Sequence, residues 1–302
     1  MPSPEFEALL TAIRASPRPE PAAGADGVRQ ARESMDLALG AIPLADGVLS
    51  GETDAGGCPA VWVRPQGGAM DRVLLYLHGG GYRAGSARAF RGFASQFAAV
   101  MGMPALLPDY RLAPEHRFPA AVEDVLTAYR WLLDEVGYSP GRVVLLGDTA
   151  GGGLVVATML AARGLGLPQP AAGACLSPLF DLTASGESYD KFAEDDPIYS
   201  RAQALAAAAD YLGEANPREP LASPLFADLS GLAPLMVHAA DREVLVDDAR
   251  ALVAGVLAAG GRANLEVWPD LMHFWHLFVP DVPESTAAVL GVAEFLLTYI
   301  GA

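Results

Sequence analysis

"RVVLLGDTAGGGLVVATMLAARG", residues 142–164, decides how the chain is read. Its opening, "VVLLG", is a strand-length apolar run with no polar residue to face water on either side, as in a strand buried on both faces. Its close, "LVVATMLAARG", is long enough for a helix and stops at Gly164, as helices often stop at glycine. Between them "GDTAGGG" (147–153) has the spacing of a nucleophile elbow, G-x-S-x-G, the sharp strand-to-helix turn that holds a hydroxyl at the end of a sheet. The central position is Thr149, where the pattern has serine. Threonine keeps the hydroxyl and adds a methyl on Cβ, in a turn whose positive φ disfavours β-branched residues.

The same alternation extends in both directions. "GVLSGET" and "AVWVRP" read as short strands around a Gly-rich turn, an antiparallel start, and "DRVLLYL" and "MPALLPDY" as further strands. Beyond the elbow, "AAGACLSPLF", "APLMVHAAD" and "ANLEVWPD" read as strands, the last two as buried ones. Helical runs separate most of them, including "SARAFRGFASQFAAVMG", "FPAAVEDVLTAYRWLLDEVG" and "VDDARALVAGVLAAGG", and "PESTAAVLGVAEFLLTYI" closes the chain. Strands alternating with helices predict an α/β class fold, a mostly parallel eight-stranded sheet with helices on both faces. Two segments stand outside the rhythm. Residues 1–45 read as two amphipathic helices, and 184–225 as an insertion with an Ala-rich helix that would pack with them. Residues 46–302 form the core domain in this division.

Composition narrows the function. The 302 residues are 52% hydrophobic, enough for a large core. Acidic residues number 36 against 20 basic, a net charge of −16, which argues against nucleic acid or an anionic membrane as partner. No apolar stretch is long enough for a membrane span, and "MPSPEFEALL" lacks the marks of a signal peptide, so the expectation is a cytoplasmic protein. Cys58 and Cys175 have no metal-ligand spacing and read as buried reduced thiols. No ligand cluster or dinucleotide fingerprint occurs, so neither metal nor organic cofactor is expected. The expected partner is a small-molecule substrate, with a homodimer left open.

Four motifs fall in order, each at the end of a predicted strand: "HGGGY" (78–82), "DYRLAPE" (109–115), the elbow, and "DLMHFW" (270–275). Ligands of open parallel sheets bind beyond those carboxyl ends. Together the motifs closely resemble the hormone-sensitive-lipase family of α/β-hydrolases, over roughly residues 45–300, with residues 1–45 and 184–225 matching the family's helical cap more loosely. The resemblance implies an oxyanion hole from the N–H groups of Gly80, Gly81 and Ala150, with His78 orienting its loop. It implies that Asp109, Arg111 and Glu115 pair to hold loops beneath the site. It places the general base at His273, with His276 as a competitor and His116 and His238 as surface and strand residues. The acid is less direct, since "ADREVLVDDA" (240–249) offers Asp241, Glu243, Asp247 and Asp248. Aligned on "VLVDD", the family pattern selects Glu243, 30 residues before His273, with Asp241 as the alternative.

The resemblance implies a carboxylic ester hydrolase with a Thr149–His273–Glu243 triad. The methyl of Thr149 leaves two others open. A lyase, dehydratase or cyclase would keep the base and oxyanion hole without a covalent step; the related plant hydroxyisoflavanone dehydratases include members with threonine in this slot. A ligand-binding protein, like the plant gibberellin receptors of the same fold, would be expected to have lost its base. Tyr82, Phe180, Phe274 and Trp275, all close to the motifs, are the expected apolar pocket wall.

Overall fold

The computed structural model describes residues 1–16 and 24–301. Among these, eight strands form one sheet: β1 (Val48–Asp54), β2 (Pro59–Pro65), β3 (Val73–Leu77), β4 (Ala105–Pro108), β5 (Val143–Asp148), β6 (Ala172–Leu176), β7 (Leu235–Ala240) and β8 (Ala263–Trp268). Their order is β1-β2-β4-β3-β5-β6-β7-β8. The pairs β1–β2 and β2–β4 are antiparallel, and all others are parallel. The fold class and the antiparallel start are as the sequence predicts.

The helices are α1 (Pro4–Ala15), α2 (Gly24–Gly40), α3 (Ala87–Met101), α4 (Ala120–Asp134), α5 (Ala150–Gly164), α6 (Ser188–Lys191), α7 (Arg201–Leu212), α8 (Val246–Ala258) and α9 (Pro283–Tyr299). Successive side chains of a strand point to opposite faces, and both faces of the central strands are covered. Leu75, Leu77 and Leu145 join one core with residues of α4, α5 and α8, whereas Leu74, Tyr76 and Leu146 join the other with residues of α3 and α9. That double burial is why β3 and β5 are unbroken apolar runs. β8 departs from the expectation of a second buried strand. It is the sheet's edge, with Asn264 and Glu266 exposed and Ala263, Leu265 and Val267 turned inward.

The elbow joins β5 to α5 with almost no space. A Cβ on Gly147 would lie 2.3 Å from the carbonyl oxygen of Gly151, and one on Gly151 would lie 2.0 Å from that of Leu77. Both flanking glycines are therefore steric requirements. Thr149 N–H donates to Leu176 O (2.9 Å), and Leu179 N–H donates to Thr149 O (2.9 Å). The turn is pinned at φ 49°, ψ −110°.

The segments outside the α/β rhythm carry α1, α2, α6 and α7. Residues of α2 and α7 line a cavity at the carboxyl end of the sheet. α1 instead packs beside it, its Phe6 in a cluster with Leu271, Met272 and Trp275. Among the described residues no helix is long and apolar enough to cross a membrane. Cys58 and Cys175 are buried and unpaired.

Candidate active site

Three side chains from separate loops meet at the carboxyl end of the sheet. Thr149 Oγ1 lies 3.0 Å from His273 Nε2. His273 follows β8, is nearly buried, and stacks on Tyr199 with ring centroids 5.2 Å apart. On its far side, Nδ1 lies 3.6 Å from Oε2 of Glu243, which is fully buried after β7. That separation is an ion-pair distance, longer than a hydrogen bond, and looseness of this kind is common before substrate binds. Burial opposes charging His273, but the carboxylate of Glu243, helped by Asp196 and Asp148, outweighs it and holds the imidazole above its ordinary value. Burial pushes the Glu243 carboxyl up, opposed by His273 and by the hydroxyl of Ser177.

The competing groups are engaged elsewhere. Asp241 accepts from Asp270 N–H (2.8 Å), Asp247 from Ser188 N–H (2.8 Å), and Asp248 from the N–H groups of Phe180 and Asp181 (3.0 and 2.9 Å). His276 is fully buried with Nε2 3.2 Å from His238 Nδ1, and burial drives it well below the ordinary histidine value. His116 is exposed.

Gly80 and Gly81 line the cavity beside Thr149. Gly80 has φ 111°, and a Cβ there would sit 2.2 Å from Ala84 O, so this position admits no other residue. Ala150 opens α5, and the first N–H groups of a helix have no partner within it. His78 is buried in the same loop: its ring stacks on Tyr110 (4.2 Å), and Tyr110 Oη donates to His78 O (2.7 Å). Asp109, Arg111 and Glu115 pair with groups outside "DYRLAPE" and not with one another. Asp109 accepts from Ala87 N–H, Arg111 pairs with Asp124 and Glu123, and Glu115 pairs with Arg32 of α2. Each ties its loop to a different helix.

The cavity holds about 570 Å³ and is lined mostly by apolar groups. Of the four aromatics expected in its wall, Phe274 is there; Tyr82, Phe180 and Trp275 are not. Tyr82 has φ 61° and stacks flat on Tyr211 at 3.9 Å. Phe180 is fully buried in the core over the α5 side of the sheet. Trp275 belongs to the cluster with Phe6, Leu271 and Met272 and stacks on His238. The wall comes instead from Val28, Met35 and Leu39 of α2, Ala207 of α7, Ile198 and Phe278, with Arg83 and Gln203 as polar points.

Two site residues lie outside the sequence reading. Asp148 borders the cavity, and its Oδ1 accepts from Gly79 N–H (3.0 Å) and Tyr76 Oη (2.6 Å). Burial raises its carboxyl to about 7. Ser177 Oγ donates to Glu243 Oε2 (2.7 Å) and accepts from Phe274 N–H (3.0 Å). Asp148 fills the x position of the elbow before Thr149, the one sequence signal that marks it. No spacing rule marks Ser177. Among the described residues no group of three His, Cys, Asp or Glu could hold a metal ion.

A sequence profile described as the alpha/beta hydrolase fold matches residues 74–277. A crystal structure of an esterase from the bacterial hormone-sensitive lipase family superposes with TM-score 0.92 at 46% identity, covering 100% of both chains. The chain belongs to this hormone-sensitive-lipase-like family of α/β-hydrolases. An acetyl-hydrolase of Streptomyces hygroscopicus is 45% identical over 248 residues, 82% of each chain. The structure of EstE5 soaked with p-nitrophenyl butyrate matches with TM-score 0.93 at 41% identity, over 99% of this chain and 100% of that one. An α/β-hydrolase with such relatives is an enzyme, and its elbow, His loop and HGGG loop occupy one cavity.

Proposed function

We propose that the protein hydrolyses carboxylic esters with small, apolar acyl groups, using Thr149 as nucleophile. The observation that carries this reading is the 3.0 Å contact between Thr149 Oγ1 and His273 Nε2. His273 takes the hydroxyl proton as Oγ1 attacks the ester carbonyl carbon. The carbonyl oxygen gains the negative charge and receives the N–H groups of Gly80, Gly81 and Ala150. Collapse breaks the bond to the alkoxy oxygen, which takes the proton from His273 and leaves as the alcohol. Water, deprotonated by the same imidazole, then hydrolyses the threonyl ester. Glu243 orients His273 and stabilises its charged form. Within the segments 1–45 and 184–225, α2 and α7 form the part of the cap that encloses the acyl group.

Short acyl chains are the natural test, since the names of the relatives include an acetyl-hydrolase and a structure soaked with a butyrate ester. Wild-type protein should hydrolyse p-nitrophenyl acetate and butyrate, and Thr149→Ala and His273→Ala should each abolish this. Hydrolysis that persists in Thr149→Ala overturns the nucleophile assignment.

The backbone of Thr149 favours a second reading. A β-branched residue at φ 49° is strained, and its methyl crowds the approach of an acyl carbon. A lyase would use His273 to remove a proton beside a bound carbonyl, with the oxyanion hole holding the enolate. Its native reaction would survive Thr149→Ala in part and fail in His273→Ala.

A further inference from the structure

Ser177 joins the two loops that carry the acid and the base. Its Oγ donates to Glu243 Oε2 at 2.7 Å, the oxygen that also faces His273 Nδ1 at 3.6 Å. The same Oγ accepts from the N–H of Phe274, the residue after His273, at 3.0 Å. Its N–H donates to His238 O on β7 at 2.8 Å. The side chain is fully buried, and its backbone stands at φ 43°, a left-handed conformation that serine seldom adopts. A strained residue persists where its surroundings over-determine it, and here β6, β7, the acid loop and the His loop all converge on it.

We infer that Ser177 is a positioning residue of the catalytic apparatus, holding the Glu243 carboxylate aimed at His273 while fixing the backbone of the His loop. This inference rests on the reading of Glu243 and His273 as acid and base. Glutamate reaches further than aspartate and has one more rotatable bond, so its carboxylate needs an added anchor. Oε1 of Glu243 is buried without a hydrogen-bond partner, which leaves Ser177 Oγ as the hydrogen bond that steadies this carboxylate. Burial favours the neutral acid, and the hydroxyl counters it by donating to the charged form. Glu243 and His273 titrate as a pair with Asp196 and Asp148 as further nearby carboxylates, and the active form has Glu243 charged and His273 neutral. Removing the hydroxyl destabilises that form. The pair then keeps a shared proton to higher pH and holds more of it on Glu243.

The test is Ser177→Ala in the full-length protein, with kcat/KM for p-nitrophenyl butyrate measured across pH. The expected result is a kcat lower by about ten- to hundredfold, the range for a hydrogen bond to a charged group, with KM little changed. The acid limb of the profile should move to higher pH. Ser223→Ala is the control for general loosening. Ser223 is buried, accepts from Leu182 N–H and donates to Pro217 O, and it lies outside the site. It should lower the melting temperature and leave the acid limb in place. A proton NMR spectrum supplies a readout independent of turnover. The downfield Nδ1 proton of the imidazolium–carboxylate pair should be visible in wild type at low pH and weaken or vanish in Ser177→Ala. An unmoved acid limb together with an unchanged Nδ1 resonance overturns the inference. Wild-type protein inert toward esters overturns the hydrolase reading instead, and the resonance then still decides the role of Ser177.

Discussion

Thr149 presents Oγ1 3.0 Å from Nε2 of His273 while its backbone sits at φ 49°, ψ −110°. The hydroxyl is in place for proton transfer, and the methyl is the cost of having it on this residue. Holding a β-branched residue at such a φ costs on the order of 1–3 kcal/mol. Thr149→Ser removes the methyl and keeps the hydrogen bond. Hydrolysis of p-nitrophenyl acetate should rise about tenfold, since roughly 1.4 kcal/mol off a barrier gives that factor. Thr149→Gly should abolish hydrolysis and raise the melting temperature by about 2 °C or more, the shift that about 1 kcal/mol gives in a domain of this size. A less stable glycine variant would show that the turn is not strained by its threonine.

Glu243→Gln tests the charge of the candidate acid with its shape preserved. The carboxylate of Glu243 is what holds His273 above its ordinary value against burial. Without it, burial prevails and the imidazole ionises at lower pH, so the acid limb of kcat/KM should shift down. This is opposite in sign to the shift expected for Ser177→Ala, where the acid remains but protonates more readily. kcat itself should fall by about 10³–10⁴, the scale seen when a triad carboxylate is neutralised. A Glu243→Gln enzyme with full kcat would move the acid's role to another carboxylate.

The sequence disclosed the sheet more fully than the cavity, for a physical reason. A strand covered on both faces must be apolar throughout, so β3 and β5 were legible as unbroken runs. β8, covered on one face, shows only a weak alternation and reads as a buried strand. Motif glycines were legible because close backbone approach excludes a Cβ, as at Gly147 and Gly151. The direction of a side chain leaving a loop was not. Tyr82 and Phe274 both have positive φ, yet one ring packs on Tyr211 and the other borders the cavity. Much of the rest of the wall comes from α2, more than a hundred residues before Thr149, where the residues carry no chemical mark. Glu243 is marked by the "VLVDD" text that follows it, while Ser177, a serine beside a proline at a strand end, has nothing to set it apart.

Asp148 should make stability depend on pH. Its carboxyl is raised from 3.8 to about 7, chiefly by burial, against the hydrogen bonds from Tyr76 and Gly79. Between those two values the native state binds a proton that the unfolded chain has lost, so stability falls as pH rises through this window. Asp148→Asn removes the ionisation and retains an acceptor for Gly79 N–H. Urea midpoints from pH 4 to 8 should fall less steeply in the variant than in wild type. Parallel curves would mean that Asp148 ionises normally.

Arg32 links the helix over the cavity to the loop beneath it. From α2 its guanidinium donates to Arg83 O (2.6 Å) and Ala113 O (2.8 Å), and it forms a two-pronged contact with Glu115 (2.6 and 3.0 Å). Arg83 belongs to the turn that follows Gly80 and Gly81, and its own side chain pairs with Asp210 of α7. The loop bearing the candidate oxyanion donors is thus braced from both helices that roof the cavity. In Arg32→Ala, two buried-side carbonyls and a carboxylate lose their donor, and α2 is held mainly by its apolar face. At about 1 kcal/mol for a net hydrogen bond, KM for p-nitrophenyl butyrate should rise roughly fivefold. The acetate ester touches less of the α2 wall, so its KM should change less. Arg32→Lys keeps the charge but cannot span both carbonyls and Glu115 in one plane, and it should recover only part of the loss. An equal change for both esters would place the effect on the oxyanion loop, and no change for either would mean that α2 holds its position without this arginine.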